Sequence, residues 1–431
     1  MGGSAILLAS TPADYSLDIA PCSLQLSPKS TIKTLGYNGK VPGPLMRLRA
    51  GRPVTIEVTN GADHPEIVHW HGLFSPSDVD GSMEEGTPMI PAGGNARYTF
   101  TPRPAGFRWY HTHIFAGHDF RKGQYNGLHG FIFVDSGDDP GRYDAEIFLA
   151  LHDWKPDLLA SDDGSMNPTY EVSTINGRVL GFGEPLRVRE NQRVLLQILN
   201  SSPTEVHWLA LAGHQFEVVA LDGNAVPSPR AVPMLRLAPA ERVSAIVRMN
   251  NPGKWILGEV RRHIQAAGMG MVIEYAGQSG PPRWQQPETL TWDYAQFGAG
   301  ATVAPDNAVV EIPLVFKSKF AGHGAMDRWM INGKSFPKTD SPVLESGKRY
   351  RLVMKNESTD NHPVHLHRHV FELRRLSDGR PTRGVVKDTI LVDANTEAHV
   401  EFTADNPGLT LFHCHQQDHM DMGFMMLFRY A

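Results

Sequence analysis

The chain repeats itself, and this repetition limits what it can fold into more than any other feature. Gly51-Arg-Pro-Val-Thr-Ile-Glu-Val-Thr-Asn60 is echoed by Asn191-Gln-Arg-Val-Leu-Leu-Gln-Ile-Leu-Asn200 and again by Gly347-Lys-Arg-Tyr-Arg-Leu-Val-Met-Lys-Asn356. Each copy is a turn, a β-favouring run and a closing asparagine at the same nine-residue offset. Behind each asparagine follows a histidine element: His69-Trp70-His71-Gly72, His207-Trp208-Leu209 and His365-Leu366-His367. Behind each of those follows a turn and a strand, beginning Ala105-Gly106, Pro252-Gly253 and Pro407-Gly408. Self-similarity in a fixed order marks tandem structural units. The expected division is 1–137, 138–282 and 283–431, with edges in the polar, turn-rich stretches 135–141 and 277–283.

Helical periodicity is scarce. The 41 glycines and 32 prolines separate short runs of Val, Ile, Leu and Thr, the pattern of many short strands joined by turns, so the expected class is all-β. With 431 residues the chain can bury a separate core in each unit. A net charge of −5 with interspersed signs offers no basic face to neutralise phosphates, which argues against nucleic acid as a partner. No stretch reaches the roughly 18 apolar residues of a membrane span. Met1–Ser10 is short, apolar and rich in small residues, like the tail of an export signal, and points weakly to a periplasmic or secreted protein.

The chemistry concentrates in Leu411-Phe412-His413-Cys414-His415-Gln416-Gln417-Asp418-His419. Imidazole and thiolate together are the donors that copper prefers over hard, oxygen-seeking cations. Leu409-Thr410-Leu411-Phe412 is apolar and β-favouring, so the segment enters as a strand whose side chains alternate between faces. Cys414 then lies on one face, with His413 and His415 about 6.6 Å apart on the other. One peptide stretch can serve two metal sites. His419 lies far enough on for the chain to turn back to the thiolate side. Cys22 is the only other cysteine, which leaves no internal disulfide if Cys414 is a ligand; it reads as a small buried apolar residue.

Four histidine groups stand out: His69/His71, His111/His113, His362/His365/His367 and His413/His415/His419. The motifs His69-Trp-His-Gly72, Trp109-Tyr-His-Thr-His113, His362-Pro-Val-His-Leu-His-Arg-His369 and His413-Cys-His-Gln-Gln-Asp-His419 resemble those of the three-domain, laccase-like multicopper oxidases of bacterial type. That family is built of cupredoxin-like Greek-key β-sandwiches. By matching position the resemblance implies a type 1 copper on Cys414, His362 and His419, and a type 2 copper on His69 and His365. It implies a type 3 pair, one on His71, His111 and His415, the other on His113, His367 and His413. Four copper ions are the implied cofactors, and the cluster falls between the first and last units. The middle unit reads as a copper-free spacer, with His207 and His214 structural. Oligomerisation is not required.

The implied reaction couples one-electron oxidation of phenols or aromatic amines to four-electron reduction of dioxygen to water. Asp80 matches the family's acidic residue for proton supply; its other reading is a turn aspartate before Gly81. Many bacterial relatives place a glutamate directly after the last ligand histidine, where this chain has Met420, with Asp421 one further on as a substitute. The type 1 axial position, ten residues past Cys414, is Phe424 rather than methionine, flanked by Met422 and Met425. Met420, Met422, Met425 and Met426 read as core filling rather than a metal site. A cuprous or ferrous ion oxidase is the second reading, and a copper-free cupredoxin scaffold the third, opposed by the ten histidines and the cysteine.

Overall fold

A computed structural model of the chain describes residues 12–137, 142–162, 164–299, 309–377, 379–380 and 382–431. The Met1–Ser10 run, read as the remnant of an export signal, lies outside the described residues. Strands dominate, as the turn-punctuated β runs require. The α-helices among the described residues are two five-residue turns, Arg262–Ala266 and Gln417–Asp421. No helix among them is long and apolar enough to cross a membrane.

The strands form six sheets of four to six strands, which fall in sequence order into three face-packed pairs. This is the all-β, cupredoxin-like sandwich expected. The repeated run is a central strand in each pair. Val54–Asn60, Arg193–Asn200 and Arg349–Asn356 each pair in parallel with the first strand of their unit, and antiparallel with a later one. Their alternate residues point into the core: Val54, Ile56 and Val58 are buried, while Thr55, Glu57 and Thr59 are less so.

The closing asparagine explains why the repeat ends where it does. The Asn60 amide donates to the carbonyls of His64 and Ile90 (both 2.9 Å), while its Oδ1 accepts from the backbone N–H of Ala62 (3.0 Å). Asn200 does the same with Glu205, Leu237 and Ser202, and Asn356 with Asp360, Val392 and Ser358. One buried side chain thus satisfies three main-chain groups at the same corner of each sandwich. Such groups left unpaired would each cost about 1–3 kcal/mol.

Two features of the packing do not show in the sequence. Residues 283–298, expected to open the last unit, pack on the middle one: Trp284 and Trp292 lie against Ala210, Met234 and Val260, and the Tyr294 hydroxyl donates to Glu241. The first strand of the last unit is Val310–Lys319. Cys22 is half-buried rather than buried, because its strand, Tyr15–Ser27, lies at a sheet face and turns the thiol toward Gly36.

Register positions the site. His69 sits opposite His111 in one sheet of the first unit, and His365 opposite His413 in one sheet of the last. Directly opposed residues are the closest cross-strand neighbours. Each histidine strand therefore arrives already paired with another.

Candidate metal centres

Eight histidines from the first and last units converge on one buried volume. Stepping by two residues keeps each pair on one face of its strand or strand end. Ring centroids are 5.4 Å apart for His69/His71, 6.0 Å for His111/His113, 4.9 Å for His365/His367 and 5.4 Å for His413/His415. The two halves interleave: His69 stacks on His367 at 4.0 Å and His71 on His365 at 3.8 Å. His113 Nε2 stands 3.5 Å from His413 Nε2, which stands 3.1 Å from His367 Nε2. His415 lies 5.1 Å from both His71 and His111, centroid to centroid. No second chain is needed to complete the cluster.

Six of the eight rings are held from outside through one nitrogen, whereas His113 Nδ1 and both nitrogens of His415 have no partner. His69 Nδ1–H and His365 Nδ1–H donate to the carbonyls of Asp80 (2.8 Å) and Asp388 (2.7 Å). His111 and His413 donate through Nδ1 to Thr112 and Cys414 carbonyls. The Nε2 atoms of His69, His111 and His365, Nδ1 of His71 and both nitrogens of His415 are buried without a hydrogen-bond partner. Burial lowers the basicity of the ligands that face one another, and holds His113 down to about 3. Burial thus favours the neutral imidazole at His71, His111, His113, His365, His367, His413 and His415, the protonation state a metal requires.

Asp80 is not an idle turn residue. Its Oδ2 accepts from His367 Nδ1 at 2.8 Å and lies 3.1 Å from His69 Nδ1, while the Ser75 hydroxyl donates to Oδ1. Burial opposes its ionisation, but the His69 and His367 imidazoles hold its carboxyl well below the usual range. Beside it stands Glu85, whose Oε2 is 3.2 Å from the same His367 nitrogen and whose Oε1 accepts the Leu411 N–H at 2.7 Å. Burial, then the neighbouring Asp80 charge, pushes the Glu85 carboxyl well up. Two carboxylates with opposite shifts therefore touch one cluster histidine.

The cysteine lies on the far face of its strand, as the alternation requires. Cys414 Sγ is 3.7 Å from His362 Nδ1 and 3.5 Å from His419 Nδ1, and those two nitrogens are 3.1 Å apart. The outward nitrogen of His362 meets the Ser358 hydroxyl at 2.9 Å. That of His419 faces Asp418 Oδ2 at 3.8 Å. Burial holds His362 down to about 3 and pushes the Cys414 thiol well up. Trp329 covers the group, its ring 4.0 Å from His419 and 4.7 Å from His362. Phe424 packs in the same apolar cluster as Cys414 with its ring 4.7 Å from His362, whereas Met425 packs away from it with Leu411 and Met420. His413 Nδ1–H donates to the carbonyl of Cys414 at 2.8 Å, so the two centres share a peptide and a hydrogen bond.

Asp421 stands apart from the cluster nitrogens. Its Oδ2 accepts from the N–H groups of Ala116 and Gly117 (2.9 and 2.7 Å), in the loop just past His113, and burial pushes its carboxyl up to about 7. Gln417 links it to the Ile114 carbonyl. His207 and His214 join no group. Asp153 and Glu259 take both nitrogens of His207, and the Ala212 carbonyl and Tyr275 hydroxyl take those of His214.

Sequence reasoning misses Glu85, Asp388 and Trp329. Glu84-Glu85 reads as a solvated turn, and its burial depends on a 3-10 turn that only the fold reveals. Asp388 and Trp329 sit in no histidine motif; their role comes from strands that pair across the last sandwich.

The donor sets fit copper: a thiol with two imidazoles in one place and eight imidazoles in the other, while Asp388, which groups with His71 and His365, meets their outward-facing nitrogens. Family models described as multicopper oxidase match residues 20–139, 146–272 and 313–431. The chain is 29% identical to multicopper oxidase MmcO of Mycobacterium tuberculosis, over 91% of this chain and 82% of that one. It is 25% identical to the iron transport multicopper oxidase FET3 of Candida albicans (92% and 72%) and to Laccase-4 of Thanatephorus cucumeris (94% and 88%). A crystal structure of a multicopper oxidase from Pseudomonas thermotolerans superposes with a TM-score of 0.77 at 25% identity, covering 97% of this chain and 100% of that one. With three matched domains and two centres of the right donor chemistry, the chain belongs to the multicopper oxidases, the copper-dependent oxidoreductases that bind four coppers and use dioxygen as acceptor.

Proposed function

We propose that this enzyme is a laccase-type oxidase that draws electrons from phenols or aromatic amines at the Cys414 centre and delivers them to the eight-histidine cluster. Cys414, His362 and His419 are assigned to the type 1 copper, and His69 and His365 to type 2. His71, His111 and His415 are assigned to one type 3 copper, and His113, His367 and His413 to the other. Bound copper supplies one-electron acceptance at the first centre and dioxygen reduction at the second. The observation that carries the reading is the Cys/His/His group sharing one strand, and one hydrogen bond from His413 to the Cys414 carbonyl, with the larger cluster.

The substrate class rests on the edge of His419. Trp329 lies tilted against the His419 ring, which leaves the Nε2 edge, where Asp418 stands, for a donor's approach. Burial pushes the Asp418 carboxyl up to about 7, and its Oδ1 has no partner. A carboxylate there accepts the proton that a phenol releases as it loses an electron. At the other centre Asp80 orients His367, and Glu85 holds a proton 3.2 Å from the same ring, available for oxygen reduction. Asp421 is a second carboxyl of raised affinity for protons, at the His113 loop.

The second reading, oxidation of cuprous or ferrous ions, is favoured by one feature: the Asp418 carboxylate, 3.8 Å from His419 Nε2, can hold a cation at that edge as well as accept a proton. Turnover of a phenol, Fe(II) and Cu(I) by the native enzyme and by Asp418→Asn separates them. The laccase reading expects phenol to be the best native substrate and its kcat/KM to fall by about 100-fold in the variant, the lower range of a lost general base. A native preference for either metal ion, or an unchanged phenol rate in the variant, rejects it.

A further inference from the structure

Six charges from all three units meet in one buried knot. Arg108 comes from the first, Asp222, Glu241 and Arg242 from the middle, and Lys387 and Asp388 from the last; all are 2% exposed or less. Three cations face three anions, so the group is neutral. Arg242 grips Asp388 with both arms of its guanidinium, Nη1 to Oδ1 at 2.7 Å and Nη2 to Oδ2 at 2.5 Å. Arg108 Nη1 adds a longer contact at 3.6 Å. Asp222 fixes the arrangement from behind. Its Oδ1 accepts the Arg242 N–H at 2.9 Å, and its Oδ2 accepts the N–H groups of Asp388 and Thr389 at 3.3 and 3.2 Å. Lys387 bridges Asp222 and Glu241 at 3.0 and 3.1 Å. There is no slack: a Cβ on Gly72, at φ +80°, would lie 2.6 Å from Asp388 Oδ2 and 2.9 Å from Arg242 Nη2.

What this knot holds is the orientation of two cluster histidines. Asp388 Oδ1 is 3.2 Å from His71 Nε2, and the Asp388 carbonyl accepts His365 Nδ1–H at 2.7 Å. The nitrogens left without partners are His71 Nδ1 and His365 Nε2. His71 therefore presents the opposite ring nitrogen from His69, His111 and His365, and this is imposed by Asp388 together with the Thr389 hydroxyl, 3.3 Å from the same His71 nitrogen and itself donating to Asp388 Oδ1 at 3.0 Å. A free imidazole can turn over; one tied through Nε2 to a clamped carboxylate cannot.

We propose that Arg242, supported by Asp222, is a positioning residue for the copper cluster: through Asp388 it fixes which nitrogen His71 offers and how His365 is aimed. The middle unit, which supplies no ligand of its own to either group, is then more than a spacer, because the cluster geometry depends on a side chain it contributes. The fork shape matters, since lysine would supply the charge but only one of the two parallel contacts. The proposal rests on reading His71 and His365 as copper ligands.

The test uses the copper-loaded full chain, challenged with graded chelator. It reads the paramagnetic resonance signal of the type 2 copper, total copper and the visible type 1 band. Native enzyme, Arg242→Lys, Arg242→Gln and Arg236→Gln are compared. Arg236 makes the same two-armed contact from the middle unit to Asp393 of the last, at 3.0 and 2.5 Å, but touches no cluster histidine. The expected result is a 10-fold to 100-fold weaker hold on cluster copper in both Arg242 variants, the range of lost outer-shell support. The type 1 band is retained, and Arg236→Gln behaves as native. If Arg242→Gln does not fold, Arg242→Lys carries the test. Cluster copper lost no more readily from Arg242→Lys than from Arg236→Gln overturns the proposal. Native enzyme that holds no type 2 copper would instead overturn the ligand reading beneath it.

Discussion

Raising the pH should loosen the middle unit through His207. Both ring nitrogens face carboxylates, Nε2 at 2.9 Å from Asp153 and Nδ1 at 3.1 Å from Glu259, and all three groups are buried. Burial alone would favour the neutral ring, but the two carboxylates outweigh it and push His207 from 6.5 up to about 10. A histidine whose affinity for a proton rises on folding contributes its stability fully below the unfolded value. It loses that contribution as pH climbs through the folded one, so the window here runs from 6.5 to about 10. At about 1.36 kcal/mol per pH unit that gap amounts to on the order of 5 kcal/mol, or a fall in melting temperature of roughly 15 °C for a unit of this size. Melts followed by tryptophan fluorescence across the window measure it, with His207→Asn alongside. The variant should start lower and lose most of the slope. A native melting temperature that is flat across the window, or parallel curves for both proteins, would refute the assignment of His207 as a buried cation.

Three further outcomes follow from the geometry. Asp80→Asn should slow reoxidation of the reduced enzyme by dioxygen while leaving its reduction by a phenol near the native rate, as stopped-flow mixing can resolve. Phe424→Met should lower the potential of the type 1 centre in a redox titration, because a weak thioether favours the oxidised ion and a phenyl ring does not, while Met425→Leu leaves it unchanged. Asn200→Ala, which touches neither group of metal-ligating side chains, removes three hydrogen bonds at a buried corner. It should cost about 3 kcal/mol in denaturant melts of the middle unit.

What could be read from the sequence was what is local or periodic. The repeated runs ending in Asn60, Asn200 and Asn356 named the central strand of each sandwich, because strand alternation and a corner amide both leave marks within ten residues. Cys414 and its flanking histidines separated onto two faces by the same alternation. What stayed hidden depends on contacts between distant segments. Asp388 lies 317 positions from His71, and Arg242 lies 146 from Asp388, so no window of sequence connects them. Glu85 is invisible for a related reason, since its burial beside His367, 282 positions away, overrides the polarity of its own turn. The stretch just past the turn-rich edge at 277–283 also gives no local sign that its Trp284 and Trp292 pack on the middle core, since that contact too joins distant segments.

One strand, Thr410–Cys414, is assigned to two copper centres of different kind. Copper content and the visible spectrum, measured together on the native enzyme and on Cys414→Ser, test this assignment most directly. The exchange removes the soft thiolate but none of the eight cluster histidines. The expected result is a blue native protein with about four coppers per chain and a colourless variant with about three, inactive toward phenols. A variant that stays blue, or one that loses the cluster copper along with the colour, would contradict it.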